Sequence, residues 1–262
     1  MRILFVGDVF GRPGRRALAE VLPDLVREHN VELTIANGEN AAGGIGITAS
    51  TASEVFGAGV DLITGGNHIW DKRDSIPFVS SCDRLVRPAN YPPGTPGVGH
   101  GLFTTRNGNT VGVVNLQGRV FMQAVDCPFR VGAELVSELL ESTSIVLVDI
   151  HAEATAEKLA LGWYLAGRAS AVLGTHTHIQ TADERILEGH TAYITDVGMT
   201  GPEESVIGVK TELSVARFVT QLPHRFEPAT GPCVLNAVLL VIDDATGGAL
   251  SIERVNARTT GS

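Results

Sequence analysis

Side chains that can bind metal ions occur directly after five apolar runs of this sequence. Asp8 follows LFVG, and the pair Glu39 and Asn40 follows LTIANG. The other three runs continue the pattern: LITGG precedes Asn67 and His68, VLVDI precedes His151, and AVLGT precedes His176 and His178. The carboxyl ends of the strands in an open α/β sheet form the crevice in which ligands bind, so five strand ends can converge on one point. The sequence therefore predicts a single site built from these residues.

The residue types indicate which ions such a site would bind. Carboxylate, amide oxygen and imidazole together suit borderline cations such as Mn²⁺, Fe²⁺ and Zn²⁺ better than Ca²⁺ or a soft thiolate metal. One cation would be crowded by so many ligands, whereas two cations roughly 3.5 Å apart could share them if a carboxylate bridged the pair. Glu39 is the natural bridge. That spacing also suits a hydroxide held between the metals for in-line attack at phosphorus.

Each residue taken alone has a simpler interpretation. Asp8 could cap the helix that follows it, and a lone His68 or His151 is more often a hydrogen-bonded core histidine. The glycines at 38, 43, 44 and 46 could serve only a tight turn. His176 and His178 resist this explanation, because residues i and i+2 of a strand point to one face and could hold adjacent metals. The joint pattern favours the metal site, and the histidines outside it are assigned to the surface: His29, His100, His190 and His224.

Gly7, Gly11 and Gly14 raise the alternative of a dinucleotide-binding turn. Their order, G-x3-G-x2-G, differs from the G-x-G-x2-G of that fingerprint. Asp8 would also place a carboxylate where a pyrophosphate needs backbone donors. Both observations count against this alternative.

Short apolar runs that alternate with amphipathic stretches predict an α/β fold class. Buried strands are predicted for eight runs: RILFVGD, VELTIANGEN, VDLITGGNH, TVGVVNLQG, SIVLVDIHAE, ASAVLGTHTH, TAYITDVG and CVLNAVLLVID. Helical spacing of apolar residues predicts helices over 15–29, 48–57, 131–141 and 155–168. This alternation indicates a parallel or mixed sheet covered by helices.

Two parts of the chain depart from that alternation. Segment 71–99 contains prolines at 77, 88, 92, 93 and 96 and shows little periodicity. It is predicted to be an irregular excursion from a single domain that spans residues 1–262. After Tyr193 the helical signals are fewer, and residues 250–255 alternate as an edge strand would.

Composition and charge limit the class of protein. Hydrophobic residues make up 44% and charged residues 19% of the 262 positions, which is typical of an ordered globular enzyme. The formal charge of −9 argues against stable binding to duplex nucleic acid or to an anionic membrane. The three cysteines show no paired spacing, and the first apolar run, only five residues long, is too short for a signal peptide or a membrane span. We therefore expect a cytoplasmic protein with reduced thiols.

The motifs GD, GEN, GNH, a lone histidine and GTHTH occur in the order that is typical of the calcineurin-like metallophosphoesterase superfamily, which the chain resembles. It is more closely similar to the YmdB-like bacterial branch, in which a glutamate within GEN replaces the usual bridging aspartate. Six segments fit that branch: GDVFGRPGR, ANGENAAGG, GGNHIWDKR, DIHAEATAEK, GTHTHIQTAD and TDVGMTGP. The resemblance implies a four-layer α/β/β/α sandwich and two divalent or mixed-valence ions of iron or manganese. It also implies 2',3'-cyclic nucleotide phosphodiesterase activity and assembly into homo-oligomers.

Two motifs depart from the wider superfamily. Its GDxH has become GDVF, with Phe10 in place of a histidine ligand, and its GNHD or GNHE has become GNHI. The resemblance implies that Asn40 takes the position that the histidine leaves. It assigns Asp8, Glu39, Asn40 and His178 to metal one, assigns Glu39, Asn67, His151 and His176 to metal two, and leaves His68 as the proton donor.

Together these features predict a two-metal phosphodiesterase that acts on a small phosphodiester, with a metal-bridging hydroxide as nucleophile and His68 protonating the leaving ribose oxygen. A metal-dependent amidohydrolase or peptidase is one alternative, because the HAE at 151–153 and the paired histidines would also suit zinc, although no HExxH is present. A non-catalytic signalling or RNA-related partner is another, although it would not need a complete set of ligands. Arg12, Arg15 and Arg16 could reach a phosphate, but solvated helix charges are the simpler interpretation.

Overall fold

Strands and helices alternate along the chain in the computed structural model, which describes residues 1–260. Its strands are, in chain order, Arg2–Val6 (β1), Asp8–Val9 (β2), Leu33–Asn37 (β3), Leu62–Thr64 (β4), Leu85–Val86 (β5), His100–Thr104 (β6), Thr110–Gln117 (β7), Val146–His151 (β8), Ala171–Thr175 (β9), Arg185–Leu187 (β10), Thr191–Ile194 (β11), Met199–Pro202 (β12), Cys233–Ile242 (β13) and Ala249–Arg258 (β14). Its helices are Gly11–Glu28 (α1), Ala49–Gly57 (α2), Ser75–Ser81 (α3), Pro128–Leu140 (α4), Thr155–Leu165 (α5) and Thr211–Thr220 (α6).

Two stacked sheets form the middle of the molecule. The first has the order β2-β12-β13-β1-β3-β4-β5, with β14 paired to β13, and the second has the order β10-β11-β9-β8-β7-β6. Apolar side chains from both sheets pack into one core, among them Phe5 and Ile35 from the first sheet and Val113 and Leu173 from the second. This shared core holds the two sheets face to face.

Helices cover both outer faces. Leu18 and Leu22 of α1 pack against Leu4 on the first sheet, and Leu161 of α5 packs with Val148 on the second. The predicted four-layer α/β/β/α sandwich is therefore confirmed. Within residues 1–260, no helix is both long enough and apolar enough to cross a bilayer.

Local sequence explains where the first two helices begin. α1 begins at Gly11, earlier than predicted. Pro13 is compatible with the first turn, because backbone N–H groups there have no partner within the helix and the missing N–H of proline costs no hydrogen bond. α2 follows a capping box. The Thr48 side chain accepts from the Thr51 N–H, and the Thr51 side chain accepts from the Thr48 N–H.

The two segments predicted to depart from the alternation of strands and helices, 71–99 and 250–255, both contain regular structure, and the chain has one further helix in its last third. The proline-rich segment 71–99 is less irregular than predicted, since it contains α3 and β5. Residues 250–255 do form an edge strand, because β14 pairs only with β13 among the described strands. Helix α6 was not predicted. Its Val215, Phe218 and Val219 have helical spacing, but they are exposed, and Ser214 is its one buried residue.

Strand direction brings the predicted site residues to one edge. β1, β3 and β4 run parallel in the first sheet, and β7, β8 and β9 run parallel in the second. The predicted site residues lie at or just after the ends of five strands: Asp8 after β1, Glu39 and Asn40 after β3, Asn67 and His68 after β4, His151 at the end of β8, and His176 and His178 after β9. The site therefore lies where the carboxyl edges of the two stacked sheets meet.

Candidate metal centre

All eight residues predicted at the strand ends form one connected cluster. Two of them act as its centres: Asn40 contacts Asp8, Glu39 and His178, and His151 contacts Glu39, Asn67 and His176. The backbone N–H of His68 joins the cluster by donating to Glu39 Oε2 at 2.8 Å. Residues from five separate segments of the chain thus meet within contact distance of one another.

One group of candidate ligands surrounds the amide of Asn40. Its Nδ2 lies 3.5 Å from Asp8 Oδ1, 3.2 Å from Glu39 Oε1 and 3.2 Å from His178 Nε2. Asp8, Glu39, Asn40 and His178 are all buried. Half a turn of the amide would present Oδ1 to the same point, where carboxylate, amide and imidazole atoms would all face a cation.

A second group surrounds the Nε2 atom of His151. This atom lies 3.0 Å from Glu39 Oε1, 3.0 Å from Asn67 Oδ1 and 3.0 Å from His176 Nδ1. Ligand atoms of Glu39, His151 and His176 all lie within 4.8 Å of one another, which is close enough for them to share one ion. This group matches the residues assigned to metal two.

Glu39 connects the two groups through a single oxygen. Its Oε1 is 3.0 Å from His151 Nε2 in one group and 3.2 Å from Asn40 Nδ2 in the other. Its Oε2 is occupied by the His68 N–H. Oε1 therefore lies where a bridging carboxylate oxygen would be needed.

Gly66 leaves room at the cluster that a larger residue would fill. A Cβ added to Gly66 would fall within van der Waals overlap of Glu39 Oε2 and of the His151 ring. The glycine that precedes Asn67 thus keeps the centre clear for small ligands. Buried carboxylates, imidazoles and amide oxygens around such a space are the donor set that transition metals use.

Charges inside the cluster perturb one another strongly. Burial alone would raise the pKa of Glu39, but the charge and hydrogen bond of His151 outweigh it and lower the pKa to about 2. Burial lowers the pKa of His151, but the neighbouring carboxylates, Glu39 first, raise it to about 9. Burial and the charge of His151 together lower the pKa of His176 to about 3. Because a metal needs the deprotonated ligand, cation binding at this group would release the His151 proton.

The expected strand geometry of the two histidines after β9 is wrong. β9 ends at Thr175, and His176 and His178 adopt left-handed backbone conformations with φ of 97° and 66°. Such conformations cost about 1–3 kcal/mol each for residues other than glycine. Consequently the two rings do not share a strand face but turn into different groups of the cluster.

Phe10, which stands where the wider superfamily has a histidine, serves as packing. Its ring lies edge-on to His178, with the centroids 5.7 Å apart, and it is 5% exposed. A Cβ on Gly44 would approach the Phe10 ring at 2.8 Å. Asn40 lies next to His178 and Asp8, with its Nδ2 3.2 Å from His178 Nε2 and 3.5 Å from Asp8 Oδ1.

A buried chain of polar groups behind His151 was not predicted. His151 Nδ1 lies 2.9 Å from the Thr175 hydroxyl, which donates to Asp149 Oδ1 at 2.8 Å. Burial raises the pKa of Asp149 to about 7. Such partners fix the orientation of a metal-binding imidazole and leave its Nε2 free. The sequence does contain a signal for these buried polar groups, because Asp149 is an acidic residue inside the otherwise apolar run of β8.

Lys158 and Asp196 form a second buried support that was not predicted. The Lys158 ammonium, fully buried in α5, lies 2.8 Å from Asp196 Oδ2 and donates to the Thr175 carbonyl at 2.6 Å. Asp196 also accepts from the N–H and the hydroxyl of Thr177. The pair therefore holds the two residues that flank His176. A sequence signal existed, since Lys158 shares the buried face of α5 with Leu161 and Leu165.

Arg12, Arg15 and Arg16 of α1 lie outside the cluster. They line a cavity of about 850 Å³. A second cavity, which Glu39, His176 and His178 line and which we call the metal cavity, shares Gly43 and Pro228 with it. Arg15 donates to the Ala41 carbonyl and pairs with Glu54 at 2.7 Å, while Arg12 and Arg16 are exposed. Arg15 thus supports the loop after Asn40, and the structure gives these arginines no contact with the candidate ligands.

Comparison with known proteins identifies the family of the chain. A sequence model of the YmdB-like protein family matches residues 4–255. The chain is 51% identical over 255 residues to the 2',3'-cyclic-nucleotide 2'-phosphodiesterase of Bacillus subtilis, which covers 97% of this chain and 96% of that relative. It is also 33% identical over 264 residues to a putative phosphatase/phosphodiesterase of Mycoplasma genitalium, which covers 97% and 92% of the two chains.

Two solved structures share the fold. A hypothetical protein from Thermus thermophilus superposes with a TM-score of 0.92 at 45% identity, over 98% of this chain and 99% of that one. A phosphatase from Mycoplasma pneumoniae superposes with a TM-score of 0.93 at 33% identity, over 98% and 93%. Both cover almost the whole chain, so the similarity includes every segment that contributes to the cluster.

Proposed function

The chain belongs to the YmdB-like family, and from this membership we propose that it is a two-metal phosphodiesterase acting on 2',3'-cyclic nucleotides. The Bacillus subtilis and Mycoplasma genitalium relatives are named as a phosphodiesterase and a phosphatase/phosphodiesterase, and the proposed substrate class is that of the Bacillus subtilis relative. The observation that carries the two-metal part of the proposal is the position of Glu39 Oε1 between two groups of candidate ligands.

The chain would hold each metal through one of these groups. Asp8, Asn40 and His178 would bind metal one, Asn67, His151 and His176 would bind metal two, and Glu39 would bridge them. Iron or manganese suits such a mixture of oxygen and nitrogen donors. Two bound cations would supply Lewis acidity towards the phosphate and lower the pKa of water to about 7, so that water can act as the nucleophile at neutral pH.

His68 is the residue that we propose as proton donor. It lines the same cavity of about 230 Å³ as Glu39, His176 and His178. Its Nδ1 lies 2.7 Å from Asp71 Oδ2, which leaves Nε2 as the ring nitrogen available to a substrate. Its side chain is one-third exposed and contacts the cluster through its backbone. These contacts support a role in proton transfer to the leaving oxygen rather than in metal binding.

One preparation can test the proposed activity and its metals together. Protein purified without added metal would be analysed for its elements and assayed on 2',3'-cyclic AMP, on bis-p-nitrophenyl phosphate and on a small panel of peptides and esters. We expect about two equivalents of iron or manganese and hydrolysis of both phosphodiesters. Hydrolysis of peptides or esters alone would favour the amidohydrolase instead.

Two further proposals concern the state of the protein in the cell. We propose that it is a cytoplasmic homo-oligomer. We also propose that it does not bind duplex nucleic acid stably, because its formal charge is −9. Light scattering on the purified protein and a duplex-binding assay at physiological salt test the assembly and the charge argument.

Replacing His68 by alanine is expected to affect two substrates unequally. A general acid contributes about 10² to 10⁴ in rate when the leaving oxygen is basic. A ribose alkoxide is basic and p-nitrophenolate is not, so turnover of 2',3'-cyclic AMP should fall far more than turnover of bis-p-nitrophenyl phosphate. Both rates are measured on one metal-replete preparation. Equal losses would assign His68 to positioning the phosphate, and a loss of metal would make it a ligand.

Removing the metals is expected to lower the melting temperature. The candidate ligands come from five segments and meet only in the folded chain, so metal binding must stabilise the fold. At a hundredfold excess over its dissociation constant, one bound ion adds about 2.7 kcal/mol. Thermal melts with and without a chelator measure the shift, and Asp8→Ala should respond less than the natural chain. If the melting temperature were the same with and without the chelator, a metal site shared by these segments would be contradicted.

A further inference from the structure

Three large apolar side chains surround the mouth of the metal cavity. Ile45, Ile207 and Phe226 line the same cavity as His68, His176 and His178. They are 41%, 46% and 46% exposed. Exposed apolar side chains grouped beside a polar centre are typical of a ligand pocket, in which apolar groups supply contact area and a few polar groups fix orientation. We call these three residues the apolar wall.

The backbone of Ile207 indicates that its side chain has a role of its own. Its φ is 47°, a left-handed conformation that is a genuine outlier for a β-branched residue. The carbonyl of Ile207 accepts a hydrogen bond from His178 Nδ1 at 3.0 Å, and this bond orients the candidate ligand. Glycine would place the same carbonyl there without strain. The strain is therefore tied to the isoleucine side chain, which the fold leaves half-exposed at the cavity mouth.

Phe226 is an aromatic residue that lines the metal cavity and is paired with a cation. The guanidinium carbon of Arg217 lies over its ring, 5.5 Å from the centroid. A cation at one face of an aromatic ring is a favourable contact and leaves the opposite face for a second partner. A flat, polarisable group of the substrate would complete a stack of guanidinium, phenyl ring and ligand.

We propose that the apolar wall binds the nucleobase of the substrate, stacked on the face of Phe226 opposite Arg217. This inference rests on the proposed function, because a cyclic nucleotide has its base attached to the ribose whose phosphate must reach the metal centre. Stacking suits every base, since each has a π-face. The three side chains carry no hydrogen-bonding group, so the wall should accept all four bases without strong preference.

The test compares a nucleotide with its counterpart that lacks the base. The substrates are 2',3'-cyclic AMP and ribose 2',3'-cyclic phosphate, and the variants are Phe226→Leu, which removes the ring, and Phe226→Tyr, which keeps it. Stacking of a base on an aromatic side chain is worth about 1–3 kcal/mol, or roughly 5- to 150-fold. We expect Phe226→Leu to lose about that factor in kcat/KM on the nucleotide and little on the baseless substrate. Phe226→Tyr should retain the natural ratio.

A control and a binding measurement complete the design. Phe218, 72% exposed on α6, does not line the cavity, so Phe218→Leu should leave both substrates unaffected. Calorimetry with adenosine 3'-monophosphate measures binding without turnover, and Phe226→Leu should weaken it by a similar factor. Equal losses on both substrates, no loss on either, or unchanged calorimetric affinity would overturn the inference. Absence of turnover by the natural chain would count against the proposed function alone, since the calorimetry would still test the wall.

Discussion

Replacing Glu39 by glutamine is expected to release both metal ions together. A glutamine amide has no negative charge with which to hold two cations close to each other, and it weakens both groups at once because Glu39 Oε1 contacts His151 and Asn40. Loss of a group that only supports a ligand costs about 10- to 100-fold in metal affinity, so loss of the bridge itself should cost at least about 100-fold. Elemental analysis and a metal titration measure the result, with turnover falling in parallel.

A matched variant separates this effect from the loss of one surface charge. Glu203 pairs with Arg258 at 2.7 Å on the surface, and Glu203→Gln removes the same charge without touching the cluster. It should keep both metal equivalents and normal turnover. If Glu39→Gln lost one equivalent and bound the other as before, Glu39 would be a terminal ligand of one ion and the two-metal proposal would need another bridge.

The placement of the candidate ligands was predictable because it depends on strand ends. Apolar runs of five or six residues identify β1, β3, β8 and β9, and parallel pairing puts their carboxyl ends at one edge. Residue type and position in the run were therefore enough to select Asp8, Glu39 and His151. No knowledge of the distances was needed, since the sheets impose them.

The conformation of the loop after β9 could not be predicted in the same way. Alternation along a strand says that His176 and His178 share a face, but the chain leaves the strand at Thr175. What sets their left-handed backbones is contact with distant residues: Asp8 Oδ2 accepts from the His176 N–H, and the Ile207 carbonyl accepts from His178. Such long-range hydrogen bonds override the local backbone preference of the two histidines. They produce no periodic pattern of residue types from which the conformation could be predicted.

The supports behind the ligands are a different case. Lys158 and Asp149 stand out only as charged residues at apolar positions of a helix and a strand. That pattern predicts a buried charge with a partner, but it does not identify the partner, because Asp196 lies 38 residues further along. The sequence could therefore have indicated that a buried pair exists, while only the folded chain assigns it to the loop of His176.

Replacing Lys158 by methionine is expected to destabilise the fold by about 3–5 kcal/mol, the usual cost of leaving one member of a buried ion pair without its partner. Methionine keeps the length and apolar stem of lysine but removes the ammonium that bonds Asp196 and the Thr175 carbonyl. Asp196 would then remain buried with a negative charge and with only the Thr177 and Gly198 donors. Urea unfolding at a fixed metal concentration measures the change in the free energy of unfolding.

The same substitution at Lys210 provides the control. Lys210 pairs with Glu227 at 2.7 Å, but its side chain is 38% exposed and that of Glu227 is 56% exposed, so Lys210→Met should leave the free energy of unfolding nearly unchanged. Adding Asp196→Asn to Lys158→Met removes the second charge as well, and the double variant should be less destabilised than the sum of the two single variants. Because the pair holds Thr175 and Thr177, Lys158→Met should also weaken metal binding at the group that contains His176. If Lys158→Met proved no more harmful than Lys210→Met in either measurement, the buried pair would not be what holds this loop in place.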